Sequence, residues 1–156
     1  MTPNVDDRLA SIIRALTEVV LPHLPPEASL AQEQVHLSVG HLQILRAQLD
    51  AMPGFEREEL DDAIAVGKAL GSAVTGGAET AVALATLAAS IAAAGGSEVR
   101  AERKAISTAI DLLVRAVSAD GEAASKVALA KIILEHEHPR AQKDRQWFAP
   151  FGFDTL

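Results

Sequence analysis

The sequence predicts an all-α protein: an up-down antiparallel bundle of five or six helices with an aromatic C-terminal tail. Apolar residues recur every three or four positions along most of the 156 residues, which is the period of one helix face. No segment keeps the alternation of a strand, and proline or glycine interrupts the pattern at short intervals. Short connections favour antiparallel neighbours. We expect residues 1–139 to form the bundle and residues 140–156 to form an arm that packs on the bundle or on a partner subunit.

The first two predicted helices are bounded by capping residues and prolines. Asn4 is a suitable N-cap for a helix from about Val5 to Leu21. The apolar residues of that helix share one face: Val5, Leu9, Ile12, Ile13, Leu16, Val19 and Val20. A second helix is predicted from about Leu30 to Met52, with Ser29 and Gln32 spaced as a capping box. A Pro-Gly pair after it predicts its end.

Four further helices are predicted at about Glu56–Leu70, Ala78–Ala94, Glu98–Ala119 and Glu122–His136. The second of these is rich in alanine, and small side chains allow neighbouring backbones to approach closely, so we expect it at the centre of the bundle. Its uncharged run, Thr80–Ser97, is shorter than the about 20 apolar residues that cross a bilayer, so no membrane span is predicted. Pro139 is predicted to end the last helix.

Composition excludes several classes of function. The chain has no cysteine, which removes disulfides, thiolate zinc sites and cysteine nucleophiles. Its net charge is −7 and its basic residues are dispersed, so we expect no nucleic-acid partner, which would require a clustered positive face. The first residues lack a basic stretch followed by an apolar one, so no signal peptide is predicted and we expect a cytoplasmic location.

A di-metal carboxylate site is the most specific metal hypothesis. Such bundles use one Glu from each of two helices and a Glu-x-x-His from each of two others. The chain has Glu33-x-x-His36 and Glu135-x-x-His138, with Glu18 on the first helix. The apolar pattern, however, directs these side chains away from the predicted core. We therefore expect no metal, no other cofactor and no catalytic residue, and keep a di-metal enzyme as the second alternative.

His41 is the one histidine that falls on an apolar helix face. A lone histidine there is more often a hydrogen-bonded core residue than a metal ligand, so His41 is predicted as a buried polar residue. No buried pair of carboxylates suited to acid–base catalysis is visible, because nearly every acid falls on a polar face or in a first helical turn.

The aromatic residues concentrate at the C-terminus. The chain has four phenylalanines, one tryptophan and no tyrosine, and four of these five rings lie in the last ten residues: Trp147, Phe148, Phe151 and Phe153. Burying each ring contributes about 1.5–3 kcal/mol, so these rings are expected to find an apolar surface. The candidates are the tail's own bundle, a second subunit, a different protein and a ligand pocket that the tail would cover.

Residues 8–49 resemble a bacterial family of small, uncharacterised, all-helical proteins. The resemblance lies in Arg8-Leu9 with Ile12 and Leu16, in Leu21-Pro22-x-Leu24, and in the apolar spacing from Val35 to Leu49. Where members often carry His and Asn on the second helix, this chain has Gln34 and Gly40, so no polar site is transferred. Members are encoded near acyl-CoA dehydrogenases and kinases similar to aminoglycoside phosphotransferases. The resemblance implies a neighbourhood in acyl-CoA metabolism and a protein partner from it.

These observations favour a non-catalytic accessory or interaction protein, expected to be a homodimer. The alternative is a helical bundle that binds a small molecule, a fatty acyl group or acyl-CoA, in a pocket between helices.

Overall fold

Six helices make up the part of the chain that the computed structural model describes, residues 4–96 and 98–149. The predicted all-α class is confirmed, and those residues contain no strand. Helix α1 has three contiguous segments, α-helical Val5–Arg14, π-helical Ala15–Val20 and α-helical Leu21–His23. The others are α2 (Ser29–Gln48), α3 (Met52–Ala73), α4 (Ala78–Ala92), α5 (Val99–Asp120) and α6 (Ala123–Phe148). None of these helices is long and apolar enough to cross a membrane.

The chain divides into two compact units, Met1–Pro53 and Gly54–Leu156. We call them the N-terminal hairpin and the four-helix unit. Residues 140–148 of the predicted arm belong to α6, because the helix continues through Pro139. The predicted end of the last helix at Pro139 is therefore wrong.

In the N-terminal hairpin, α1 and α2 are joined by a proline-rich turn. The Asp7 amide donates to Asn4 Oδ1 at 2.8 Å, which confirms Asn4 as the N-cap. Arg46 donates to both carboxylate oxygens of Asp6, at 2.7 and 2.9 Å, and so links the start of α1 to the end of α2. The predicted capping box is wrong: the Gln32 side chain donates instead to the Pro25 carbonyl at 3.0 Å.

The four-helix unit has the predicted up-down arrangement. The ion pairs Glu56–Arg100 and Glu59–Arg103 keep the same separation of 44 residues, so α3 and α5 run parallel. Phe55 contacts Trp147, and Glu59 contacts Lys143, so residue numbers fall along α6 as they rise along α3. Helix α6 is therefore antiparallel to α3.

The turn between α3 and α4 is bonded to the turn between α5 and α6. The Gly77 amide donates to the Asp120 carbonyl at 3.0 Å, and the Glu122 amide donates to the Thr75 carbonyl at 3.2 Å. Glycine is required here, because a Cβ at Gly76 would lie 2.9 Å from Gly121 Cα. Main-chain hydrogen bonds thus close one end of the unit.

The Asp120 carboxylate, at the end of α5, caps the start of α4. It accepts hydrogen bonds from the Glu79 amide at 2.7 Å and from the Thr80 amide at 3.0 Å. The helix's own N-cap residue, Gly77, has no side chain to perform this function. The hydrogen bonds from the Thr80 hydroxyl and from these amides hold the pKa of Asp120 below its usual range.

A single apolar core fills the four-helix unit. Its largest fully buried aliphatic residues are Leu60, Leu70, Leu87, Ile106, Leu113 and Val117. Burying each such side chain stabilises the fold by about 1.5–3 kcal/mol relative to leaving it exposed. Helix α4 also packs closely on α3: a Cβ at Gly67 would lie 2.8 Å from Ile91 Cδ1. The predicted central position of this alanine-rich helix is wrong, because only three of its fifteen residues are buried: Thr80, Ala83 and Leu87.

Candidate functional site

A cleft of about 680 Å³ opens on the four-helix unit between α3, α5 and α6. This volume lies within the range of about 300–1,000 Å³ that is typical of small-molecule sites. The floor of the cleft is aliphatic and consists of Ala63, Val66, Ile110, Val114 and Ile133. Charged side chains line its walls: Glu59, Asp62, Arg103, Asp111, Glu135, Glu137, Arg140 and Lys143.

Glu59 is the centre of an ionic cluster at one end of the cleft. Its side chain is only 4% exposed, although it carries a charge. Arg103 Nη1 lies 3.0 Å and Arg140 Nε lies 3.3 Å from its Oε2. Lys143 Nζ lies 2.7 Å from Oε1 and 2.5 Å from Asp62 Oδ2. Cations from α5 and α6 thus neutralise a carboxylate of α3, as a buried charge requires.

This cluster keeps Glu59 ionised. Burial alone would raise the pKa of Glu59, but Lys143 and Arg140 together hold it below its usual range. Burial also opposes the charge on Lys143, yet Asp62 and Glu59 raise the pKa of that ammonium group. Glu59 is therefore a carboxylate at neutral pH, and its role is to hold α5 and α6 against α3.

Next to the ionic cluster, Trp147 stacks on Phe55. The ring centroids are 4.3 Å apart and the planes are inclined by 27°, so the two rings stack. Lys143 Nζ lies 5.4 Å from the centroid of Phe55, within the range of a cation–π contact. The aromatic stack and the ionic cluster together hold the part of α6 beyond Pro139.

The four aromatic residues predicted to form the tail lie in different environments. Trp147 contacts the same chain, as the first of the predicted alternatives requires, whereas Phe148 is 43% exposed. Phe151 and Phe153 lie outside the described residues. His41 is exposed on α2, so the prediction of a buried polar residue there is wrong. His41 lies on the helix face that the sequence predicts to be apolar, but its side chain is exposed in the structure.

The candidate metal ligands do not gather. In residues 4–96 and 98–149, no three His, Asp or Glu side chains are placed to hold a metal ion. Glu18 and Glu33 are exposed, and the Nδ1 of His36 lies 3.0 Å from the Gln32 carbonyl of its own helix. The His138 ring contacts Gln142 one turn along α6 at 3.3 Å.

The sequence interpretation missed Glu59 and its partners. It assigned almost all acids to polar faces, yet Glu59 is buried. The spacing of residues along α3 and α6 could have indicated this cluster. Phe55, Glu59 and Asp62 share one face of α3, and Arg140, Lys143 and Trp147 share one face of α6 in the complementary antiparallel order.

No family model, curated protein or solved structure matches this chain. The resemblance of residues 8–49 to a bacterial family therefore stays a prediction.

Proposed function

We propose that this chain is a non-catalytic binding protein whose four-helix unit holds a small amphipathic molecule in the cleft. The observation that supports this proposal is the cleft itself. It combines an aliphatic floor with charged groups on its walls, which is the usual composition of a small-molecule site. This function corresponds to the predicted alternative of a ligand-binding helical bundle.

The state of Glu59 supports a binding role over an enzymatic one. A general acid or base works best with a pKa near the operating pH. The pKa of Glu59 is shifted the opposite way, and three cations hold its oxygens. This carboxylate is used in packing the helices.

The proposal can be tested by titrating the protein with eight-carbon probes that differ only in the head group: octanol, octanoate and octylamine. At a ligand concentration 100 times Kd, binding stabilises by about 2.7 kcal/mol, which raises the Tm by roughly 5–10 °C for a chain of this size. Ser107→Phe places a ring at the exposed wall of the cleft and should abolish this shift. Thr108→Phe, at the adjacent exposed position outside the cleft, should retain it. Absence of a shift with all three probes would reject the proposed function.

A second candidate is the predicted interaction role of a homodimer, supported by the exposed face of α1. Val5 and Ile12 lie seven residues apart on the α-helical segment of α1 and are 59% and 47% exposed. We propose that a second copy covers this face. Ile12→Lys should then shift the mass measured by light scattering to that of a monomer, whereas Ser11→Lys should not. An unchanged mass for Ile12→Lys would exclude this interface.

Location and pathway complete the proposal. We propose a cytoplasmic location, which the cysteine-free composition supports. A partner from acyl-CoA metabolism is supported only by the resemblance of residues 8–49. Affinity purification from the native host, followed by mass spectrometry, tests both.

A further inference from the structure

The positive charges on the cleft walls are all ion-paired, whereas some of the negative charges are not. Among the described residues, five carboxylates line the cleft, against three side chains of lysine or arginine. All three, Arg103, Arg140 and Lys143, lie within 3.3 Å of Glu59. An anionic ligand would have to compete with this buried carboxylate for every cation on the walls.

The opposite end of the cleft carries carboxylates with little or no compensation. Asp111 forms no ion pair or hydrogen bond with any described residue, and it is exposed to solvent. Within the described part of the chain, Glu135 pairs only with Lys131, at 3.7 Å, and both side chains are more than half exposed. Asp111 follows Arg103 by eight residues on α5, which places it about 12 Å along the helix from the ionic cluster.

His136 also lines this end of the cleft. Its Nδ1 lies 2.9 Å from the Ile132 carbonyl, and since a carbonyl only accepts, Nδ1 carries the hydrogen. The aliphatic floor, which includes Ile110 and Val114 on either side of Asp111, borders the same end.

We infer that the ligand of the cleft is an organic cation: a protonated amine attached to an aliphatic chain or ring. The ammonium group binds at Asp111 and Glu135, and the apolar part covers the aliphatic floor. This inference rests on the proposed function and specifies its ligand class. It disfavours acyl-CoA, whose phosphate groups would face a wall with surplus negative charge.

The test compares octylamine, octanol and octanoate by isothermal titration calorimetry, because the three share a chain and differ in charge. We expect octylamine to bind tightest and octanoate weakest, and we expect the advantage of octylamine to fall as salt is raised. Asp111→Asn should weaken octylamine by about two- to fivefold, the range of a solvent-exposed ion pair, and leave octanol unchanged. Glu58→Gln removes one charge from an exposed position of α3 outside the cleft and should change neither affinity.

Each outcome has a distinct meaning. Tighter binding of octanoate than of octylamine would overturn the cation inference and leave the proposed function standing. Equal binding of octylamine and octanol, unaffected by Asp111→Asn, would do the same. Binding of none of the three probes would overturn both.

Discussion

Replacing Lys143 by methionine tests how the last helix is held. Methionine keeps an unbranched stem of similar length but removes the ammonium group, which lies 2.7 Å from Glu59 Oε1 and 2.5 Å from Asp62 Oδ2. Arg103 and Arg140 contact the other oxygen, Oε2, so they remain in place. The substitution therefore leaves one enclosed carboxylate oxygen without a cation.

The expected loss follows from that oxygen. Losing the cation beside an enclosed carboxylate oxygen costs about 1–3 kcal/mol, and the lost cation–π contact with Phe55 adds about 0.5–1 kcal/mol. Part of this loss is offset, because the variant no longer has to bury a charged ammonium group. We expect Lys143→Met to lower the free energy of unfolding by about 2 kcal/mol and the Tm by roughly 4–8 °C.

The loss should depend on pH in a defined direction. The pKa of folded Glu59 is lowered, so its ionic contacts stabilise the fold above the unfolded pKa of about 4.3 and stop doing so as pH falls through the folded pKa. Removing Lys143 removes one of the interactions that lower this pKa. The difference between wild type and variant should be full at pH 7 and shrink below about pH 4.3.

Urea unfolding, followed by far-UV circular dichroism and by the fluorescence of Trp147, measures the loss. Lys131→Met is the matched control, because Lys131 is 70% exposed and 3.7 Å from Glu135, so its removal should cost less than about 0.5 kcal/mol. Equal stability of the two lysine variants would refute the reasoning.

Three further predictions concern the rest of the four-helix unit. Asp120→Asn should lower the free energy of unfolding at pH 7, because it weakens the hydrogen bonds from the Thr80 hydroxyl and the α4 amides. This loss, measured by urea unfolding, should diminish as pH falls through the lowered pKa of Asp120. A loss that does not change with pH would contradict the capping role of this carboxylate. Pro139→Ala restores a hydrogen-bonding amide inside α6 and should raise the free energy of unfolding by about 1–3 kcal/mol, whereas a loss would show that the proline geometry is required. Gly76→Ala should lower the Tm, because its Cβ would lie 2.9 Å from the backbone of Gly121. Gly71→Ala has open space around the new Cβ and should raise the free energy of unfolding by about 0.5–1 kcal/mol. The opposite order of the two Tm values would contradict the close contact between the turns.

The helical architecture could be predicted because the signals that specify it are local. Apolar periodicity and the Asn4 cap identified the start of α1, and the helix predicted to end at about Ala119 ends at Asp120 in the structure. The end of α6 was predicted wrongly because proline disfavours helix locally, whereas contacts of Arg140, Lys143 and Trp147 with α3 compensate from a distance in sequence. Tertiary contacts decided that element.

The start of α3 shows the same limit in another form. The Pro-Gly pair after the second predicted helix marks a boundary, but Pro53 lies in the first turn of α3, where a missing amide hydrogen is tolerated. The cleft was even less accessible to sequence reasoning. Which charges remain unpaired there depends on side chains from three helices, and helical period places residues on a face without saying what that face meets.

The two ends of the four-helix unit are joined by different forces, and this difference determines how the unit opens. At the end with Gly76 and Gly121, main-chain hydrogen bonds join the turns. At the other end, about 22 Å away along α3, ion pairs join the helices. Dissolved ions weaken the pairs that water reaches, such as Lys143–Asp62, in which the Asp62 side chain is 48% exposed. Amide hydrogen exchange should therefore accelerate with added salt in α6 beyond Pro139 and stay constant in the first turn of α4. The unit would fray from its ionic end while its turns remain closed.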